Sequence, residues 1–84
     1  MRGFCEICSR YADLDKHHVF GAGARKASEE YGAVVYICRE CHDDIHHRHP
    51  AKYKWLKREW RDRLMAWHGW STEDFVKIFG RAEW

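Results

Sequence analysis

The chain has 84 residues, 15 of them Lys or Arg against 13 Asp or Glu, for a formal net charge of +2. That length suits one domain, and a core so small rarely supplies more than roughly 3–5 kcal/mol by itself, so a staple is expected. No apolar run approaches a membrane span, and Met1-Arg2 leads straight into Gly3-Phe4-Cys5 without the hydrophobic stretch of a secretory signal.

The expected setting is therefore intracellular, with no membrane partner and with reduced thiols, which serve as metal ligands more often than as disulfides. Residues 1–13 hold the Cys5-Glu-Ile-Cys8 knuckle and little regular structure. Leu14–Phe20 has the length and apolar ends of a strand. Gly21–Gly32 reads as a loop, with a helical turn at Ala27–Tyr31. Val34-Val35-Tyr36-Ile37, β-branched and aromatic after a glycine, is the clearest strand signal. Cys38–His47 reads as a short helix that Pro50 ends or restarts.

Tyr53, Leu56, Trp60, Leu64 and Trp67 then recur at intervals of 3, 4, 4 and 3, which predicts a helix from about Ala51 to Trp67. Pro50 fits its first turn and Gly69 its end. Ser71-Thr72-Glu73-Asp74 predicts an N-cap followed by acidic first-turn residues, opening a last helix that closes at Gly80. Trp55 and Trp70 lie off the apolar stripe and are expected at the surface, where they could contact a partner. The fold expectation is a small α+β domain over the whole chain, with a core at about residues 4–48 and a helical extension at about 50–80.

Cys5-x-x-Cys8 and Cys38-x-x-Cys41 are matching knuckles with 29 residues between them. Zinc takes four thiolates in a tetrahedron, and each knuckle supplies one edge of it. A structural zinc ion is expected on Cys5, Cys8, Cys38 and Cys41; the competing reading is two disulfides.

Six of the seven histidines cluster in sequence: His17 and His18, then His42, His46, His47 and His49. His42 and His46 share a helix face and can grip one ion. On a strand His17 and His18 point to opposite faces, so one can join the ion while the other stands beside a substrate. That division suits metal-assisted hydrolysis. The bland alternatives are a solvated histidine face, or His42 serving the cysteine site. His68 stands apart as a surface or helix-end residue.

The run Cys-x-x-Cys … Leu-Asp-Lys-His17-His18-Val … Val-Tyr-Ile-Cys38-x-x-Cys41-His42-x-x-x-His46 resembles the HNH endonucleases, the ββα-metal class, and is most similar to small stand-alone HNH proteins of phages and prophages. The resemblance covers about half the chain, Cys5 to His47. It implies a ββα-metal motif carrying a four-cysteine zinc knuckle site, with added C-terminal helices. It implies His18 as general base and His17, His42 and His46 as ligands of a catalytic divalent ion (Mg²⁺, Mn²⁺, Ni²⁺ or Zn²⁺), with His47 competing for the place of His46. Asp15 could orient an imidazole from behind. Arg25 and Lys26, between the strands, are candidates for phosphate contact. The family's middle Asn has no counterpart: its position falls at about Ala33, and the sequence contains no Asn. Either another group orients His18, or the site is weak or has lost catalysis.

Seven Lys and Arg lie between Arg48 and Trp67 against Glu59 and Asp62. The predicted helix there is a candidate DNA-backbone surface through Lys54, Lys57, Arg58 and Arg61, or else a packing helix with solvated charges. The resulting expectation is a metal-dependent DNA endonuclease that nicks, since a chain with one active site cuts one strand at a time. The alternatives are a zinc-stapled DNA- or protein-binding module without catalysis, and an accessory factor for phage packaging or replication proteins.

Overall fold

The computed structural model describes residues 1–84, the side chain of Ala22 excepted. Three antiparallel strands, β1 (Arg2–Phe4), β2 (Tyr11–His18) and β3 (Val34–Cys38), form a sheet in the order β1-β2-β3. Between the last two lie a 3-10 turn (Ala22–Ala24) and helix α1 (Arg25–Glu30). Helix α2 (Arg39–Asp43) follows β3 directly and widens into a π turn (Asp44–Arg48). A 3-10 turn (Pro50–Tyr53) leads into α3 (Lys54–His68), and α4 (Thr72–Phe79) completes an α+β arrangement.

The strand expected at Leu14–Phe20 runs instead from Tyr11 to His18. Its early start reflects β1, which forms in a stretch expected to be irregular. Arg2 pairs with Asp13 at 3.1 Å, and the Phe4 and Tyr11 rings meet edge to face at 5.1 Å. Both are exposed cross-strand pairs that carry no hydrophobic pattern. Its early end has a polar cause. The Phe20 N–H donates to Ser28 Oγ (3.1 Å), and that hydroxyl donates back to the Phe20 carbonyl (2.7 Å), drawing the chain out of the ladder toward α1. Val19 and Phe20 thus enter the core from a turn. Register places Leu14 opposite Cys38 and His17 opposite Val35. The outer edge of β3 is covered by the first knuckle: Glu6 N–H donates to the Tyr36 carbonyl (3.1 Å) and Tyr36 N–H to the Glu6 carboxylate (2.6 Å).

The helical turn expected at Ala27–Tyr31 is the longer α1, and the helix expected over Cys38–His47 changes pitch halfway, with His49 N–H reaching back five residues to the Asp44 carbonyl (2.8 Å). The long helix begins at Lys54 rather than Ala51, because Pro50 opens a separate 3-10 turn. Its stripe buries Tyr53, Leu56, Trp60 and Leu64, but Trp67 is 67% exposed, its ring meeting that of Trp60 edge to face. Of the two off-stripe tryptophans, Trp55 is exposed, whereas Trp70 is half-buried between Tyr31 and a stacked His68.

One buried cluster links Cys5 and Cys38 of the knuckles with Val19, Ile37, Leu64, Phe75 and Phe79. Around Phe20, the rings of Phe75, Phe79 and Trp84 lie 4.7–5.5 Å away, so α4 and the residues after it close the aromatic end of the core. Helix α4 starts as expected: Ser71 Oγ accepts from Asp74 N–H (3.2 Å), and the Asp74 carboxylate accepts from Ser71 N–H (3.0 Å). Gly69 and Gly80 end α3 and α4 with φ of 66° and 90°, where a Cβ would be strained. Replacing Ser71 with Ala is expected to destabilise the protein by about 1 kcal/mol in denaturant unfolding, with the slope on denaturant unchanged.

Candidate functional site

Four cysteines converge where the first knuckle meets the β3–α2 junction, all sulfurs within 4.8 Å of one another. Cys8 Sγ and Cys38 Sγ are 3.8 Å apart, and all four residues are free thiols. Zn–S bonds of about 2.3 Å place the sulfurs of a tetrahedron roughly 3.8 Å apart, so this group can bind a structural metal such as zinc. Burial pushes the Cys5 thiol up, but backbone N–H groups at Cys8, Cys38 and Ile7 outweigh it and bring the group down to about 6. Burial, followed by hydrogen bonds to Cys38, Cys5 and Cys8, pushes Cys41 up instead. Four such groups cannot all be thiolates side by side without a cation among them.

A second cluster forms on the face of β2 toward α2. The ligand nitrogens of His17, His42 and His46 lie within 4.8 Å of one another, with ring centroids 4.8–5.6 Å apart. Each histidine is positioned differently. His17 is 7% exposed, an inward residue of β2. His42 donates from Nδ1 to Asp15 (3.1 Å), which leaves Nε2 as its free ligand atom. Asp15 is itself fixed by Arg39, whose Nε donates to it at 2.7 Å; that contact, and then the one to His42, holds the Asp15 carboxyl below its ordinary value. His46 completes the triangle from the π turn. His47, its rival by spacing, lies outside this group, its ring 6.1 Å from that of His46. Three imidazoles at this spacing could hold a metal ion.

His18 is turned to the opposite face. Its Nε2–H donates to Glu29 of α1 (2.7 Å), leaving Nδ1 as the proton acceptor. Glu29 also accepts from Lys16 at 2.5 Å. Arg25 and Lys26 line a shallow groove with Lys16, His18 and Glu29.

A cavity of about 450 Å³ runs between β2, the π turn, α3 and the chain after α4, and both His17 and His18 reach it. Lys54, Lys57 and Arg81 line it as well. Arg58 and Arg61 are placed otherwise: their guanidiniums donate to the backbone carbonyls of Trp84 (2.9 Å) and Ala82 (2.7 Å). Glu29, Arg39 and Arg81 escape a sequence reading because none stands at a fixed spacing from the Cys and His motifs. Compared with known proteins, the chain matches no family model, no curated protein and no solved structure.

Two outcomes follow from the clusters. Cys38→Ser, which removes one of the four thiols, is expected to reduce tightly bound zinc from one ion per chain toward none and to lower Tm, read by metal analysis and thermal unfolding. Burial, then the neighbouring His46 and His42, pushes His17 down to about 4 from 6.5. Between those values the unfolded chain binds a proton that the folded chain refuses, so this residue's effect is to lose stability as pH falls from 6.5 toward 4 and no further below. In matched unfolding series without an ion on the histidines, the wild type should lose more stability than His17→Asn over that window; parallel curves would contradict it.

Proposed function

We propose that this protein is an HNH-type, metal-dependent DNA endonuclease that nicks, with β2, β3 and α2 forming its ββα-metal core. The observation that carries the reading is the division of two adjacent histidines: His17 faces His42 and His46, while His18 faces Glu29, and both reach one cavity. A divalent ion held by His17, His42 and His46 would stabilise charge on the phosphate and the departing 3′ oxygen.

The chain's own side chains account for the rest. Glu29 holds Nε2–H of His18, so the imidazole presents Nδ1 to a water and takes its proton as that water attacks phosphorus. Asp15, itself held by Arg39, keeps His42 in the tautomer that offers Nε2. Arg25 and Lys26 offer positive charge along the groove beside His18.

The missing Asn bears on this directly. Ala33, at the expected position, is fully buried and contributes backbone only: it accepts from Val19 N–H (2.9 Å) and donates to the Ser28 carbonyl (2.7 Å). In this reading α1 supplies the brace, through Ser28 on the Phe20 backbone and Glu29 on His18. The same Ala33 favours a second reading, a zinc-stapled DNA-binding module without catalysis. A place beside phage packaging or replication proteins rests on the resemblance alone.

Supercoiled plasmid, incubated with EDTA-treated protein resupplied with Mg²⁺, Mn²⁺, Ni²⁺ or Zn²⁺, is expected to accumulate nicked circles before linear product. His18→Ala should slow nicking by about 100-fold or more, the usual contribution of a general base. His42→Ala should abolish binding of a second ion while leaving the zinc on the cysteines. Unchanged nicking by His18→Ala would overturn the role of that histidine, and no nicking with any ion would favour the binding module.

A further inference from the structure

We propose that Lys57 and Arg81, with Lys54 at the rim, form a phosphate-binding clamp that seats the DNA backbone against the histidine face, using a part of the chain that the family resemblance does not reach. The clamp rests on the nuclease reading for the purpose of the site, and on its own observations for the ligand.

The first observation is charge without a partner. The described residues lining the cavity include His17, His18, His46, Lys54, Lys57 and Arg81, and no acidic side chain. Elsewhere the Lys and Arg side chains commonly find carboxylates, as Arg2 does with Asp13, Lys16 with Glu29, Arg39 with Asp15 and Arg48 with Asp43. Lys54, Lys57 and Arg81 form no ion pair among the described residues. Lys57 is also half-buried, and its ammonium is held below the ordinary lysine value first by burial and then by Arg81 and Lys54. Crowding like charges in a partly desolvated recess is unfavourable unless an anion enters. A recess of about 450 Å³ has ample room for a phosphodiester.

The second observation is that Arg81 is held in place. Its Nε and Nη2 donate to the Glu83 carbonyl (3.0 and 2.5 Å), and its guanidinium lies 5.5 Å above the Trp84 ring. Nη1 makes no hydrogen bond among the described residues. The segment carrying it is strapped to α3 by Arg58 and Arg61, which reach the Trp84 and Ala82 carbonyls, and anchored by buried Ala82. Two arginines of α3 thus serve to fix a third on the wall facing His17 and His46. A guanidinium already ordered loses little entropy on meeting a phosphate, and Arg recognises that group through paired donors.

The test is DNA binding by zinc-loaded His18→Ala protein, with a short DNA duplex titrated at several salt concentrations and followed by fluorescence anisotropy. Lys57→Gln and Arg81→Gln, each added to that background, are expected to weaken binding about tenfold and to reduce the slope of log K on log salt by about one. Lys77→Gln, on the exposed face of α4, should change neither. Zinc content and Tm equal to the parent show that the variants fold; Lys57→Arg should restore most of the affinity if Arg81→Gln proves unstable. With His18 restored, the clamp variants should raise KM for nicking with kcat little changed. Binding and salt slope unaltered in both Gln variants would overturn the clamp while nicking persisted. The expected loss of binding in those variants, with no nicking by the wild type under any ion, would leave the clamp standing and remove the nuclease. Tighter binding of an RNA duplex of the same sequence would overturn the commitment to DNA.

Discussion

Four thiols brought within 4.8 Å of each other are a repulsive arrangement once they ionise, and a cation among them turns the same crowding into a tether. The position of that cysteine cluster governs much of the molecule. Cys38 is the last residue of β3 and the N-cap of α2, so the point where the sulfurs meet is also the point where the helix leaves the sheet. The direction set there carries His42 and, through the following π turn, His46 over the face of β2 that bears His17. Arg10 reinforces the joint from outside, reaching Cys38 Sγ at 3.7 Å and Glu40 at 3.2 Å. In a chain of 84 residues, whose core is thin, a metal ion bound there would replace packing that a larger domain would obtain from apolar area.

The second constraint is the period of a strand. Adjacent residues of β2 point to opposite faces, so His17 and His18 cannot share one environment. His17 is buried and electrostatically crowded by other imidazoles, which keeps it neutral and available as a ligand at ordinary pH. His18 instead meets a carboxylate, which fixes its ring and its tautomer. A slip of one residue in the β2–β3 register would exchange these surroundings, and the pairing of Leu14 with Cys38 ties that register to the cysteine joint.

What can be read from the sequence follows from regular spacing. The two Cys-x-x-Cys pairs, the His42–His46 interval, the alternation at His17-His18 and the 3-4 stripe from Tyr53 to Leu64 each reflect a fixed geometry: the four cysteines meet, His17 joins His42 and His46 while His18 turns to Glu29, and the stripe is buried. The Ser71 cap is equally legible, because an N-cap is a local event. The parts that are not legible depend on contacts distant in sequence. Strand β1 is recognisable only once Asp13 and Tyr11 are opposite it, and β2 stops at His18 because Ser28 captures the next backbone groups but one. The π turn has no composition of its own. Trp67 fits the helical period yet is exposed, meeting Trp60 edge to face. Glu29 lies in the helical turn expected at Ala27–Tyr31, but its meeting with His18 depends on α1 folding back along β2.

Net charge conceals how the charges are sorted. At +2 the chain looks nearly balanced, and most acidic groups do answer a base, on the outer sheet, along α3 or around the histidines. One recess, where α3, the π turn and the strapped segment after α4 meet, gathers Lys54, Lys57 and Arg81 with no acidic side chain in its lining. Arg58 and Arg61, which by sequence belong to the same basic run, are held on backbone carbonyls and so act on the shape of that recess instead of facing into it. A basic helix is therefore not uniformly a basic surface: Arg58 and Arg61 hold a wall in position, and Lys54 and Lys57 give the wall its charge. With Lys57 half-buried and Lys54 and Arg81 exposed at its mouth, the recess concentrates positive charge that attracts an anion. The helical extension thus has an electrostatic part to play as well as the apolar one of covering the sheet.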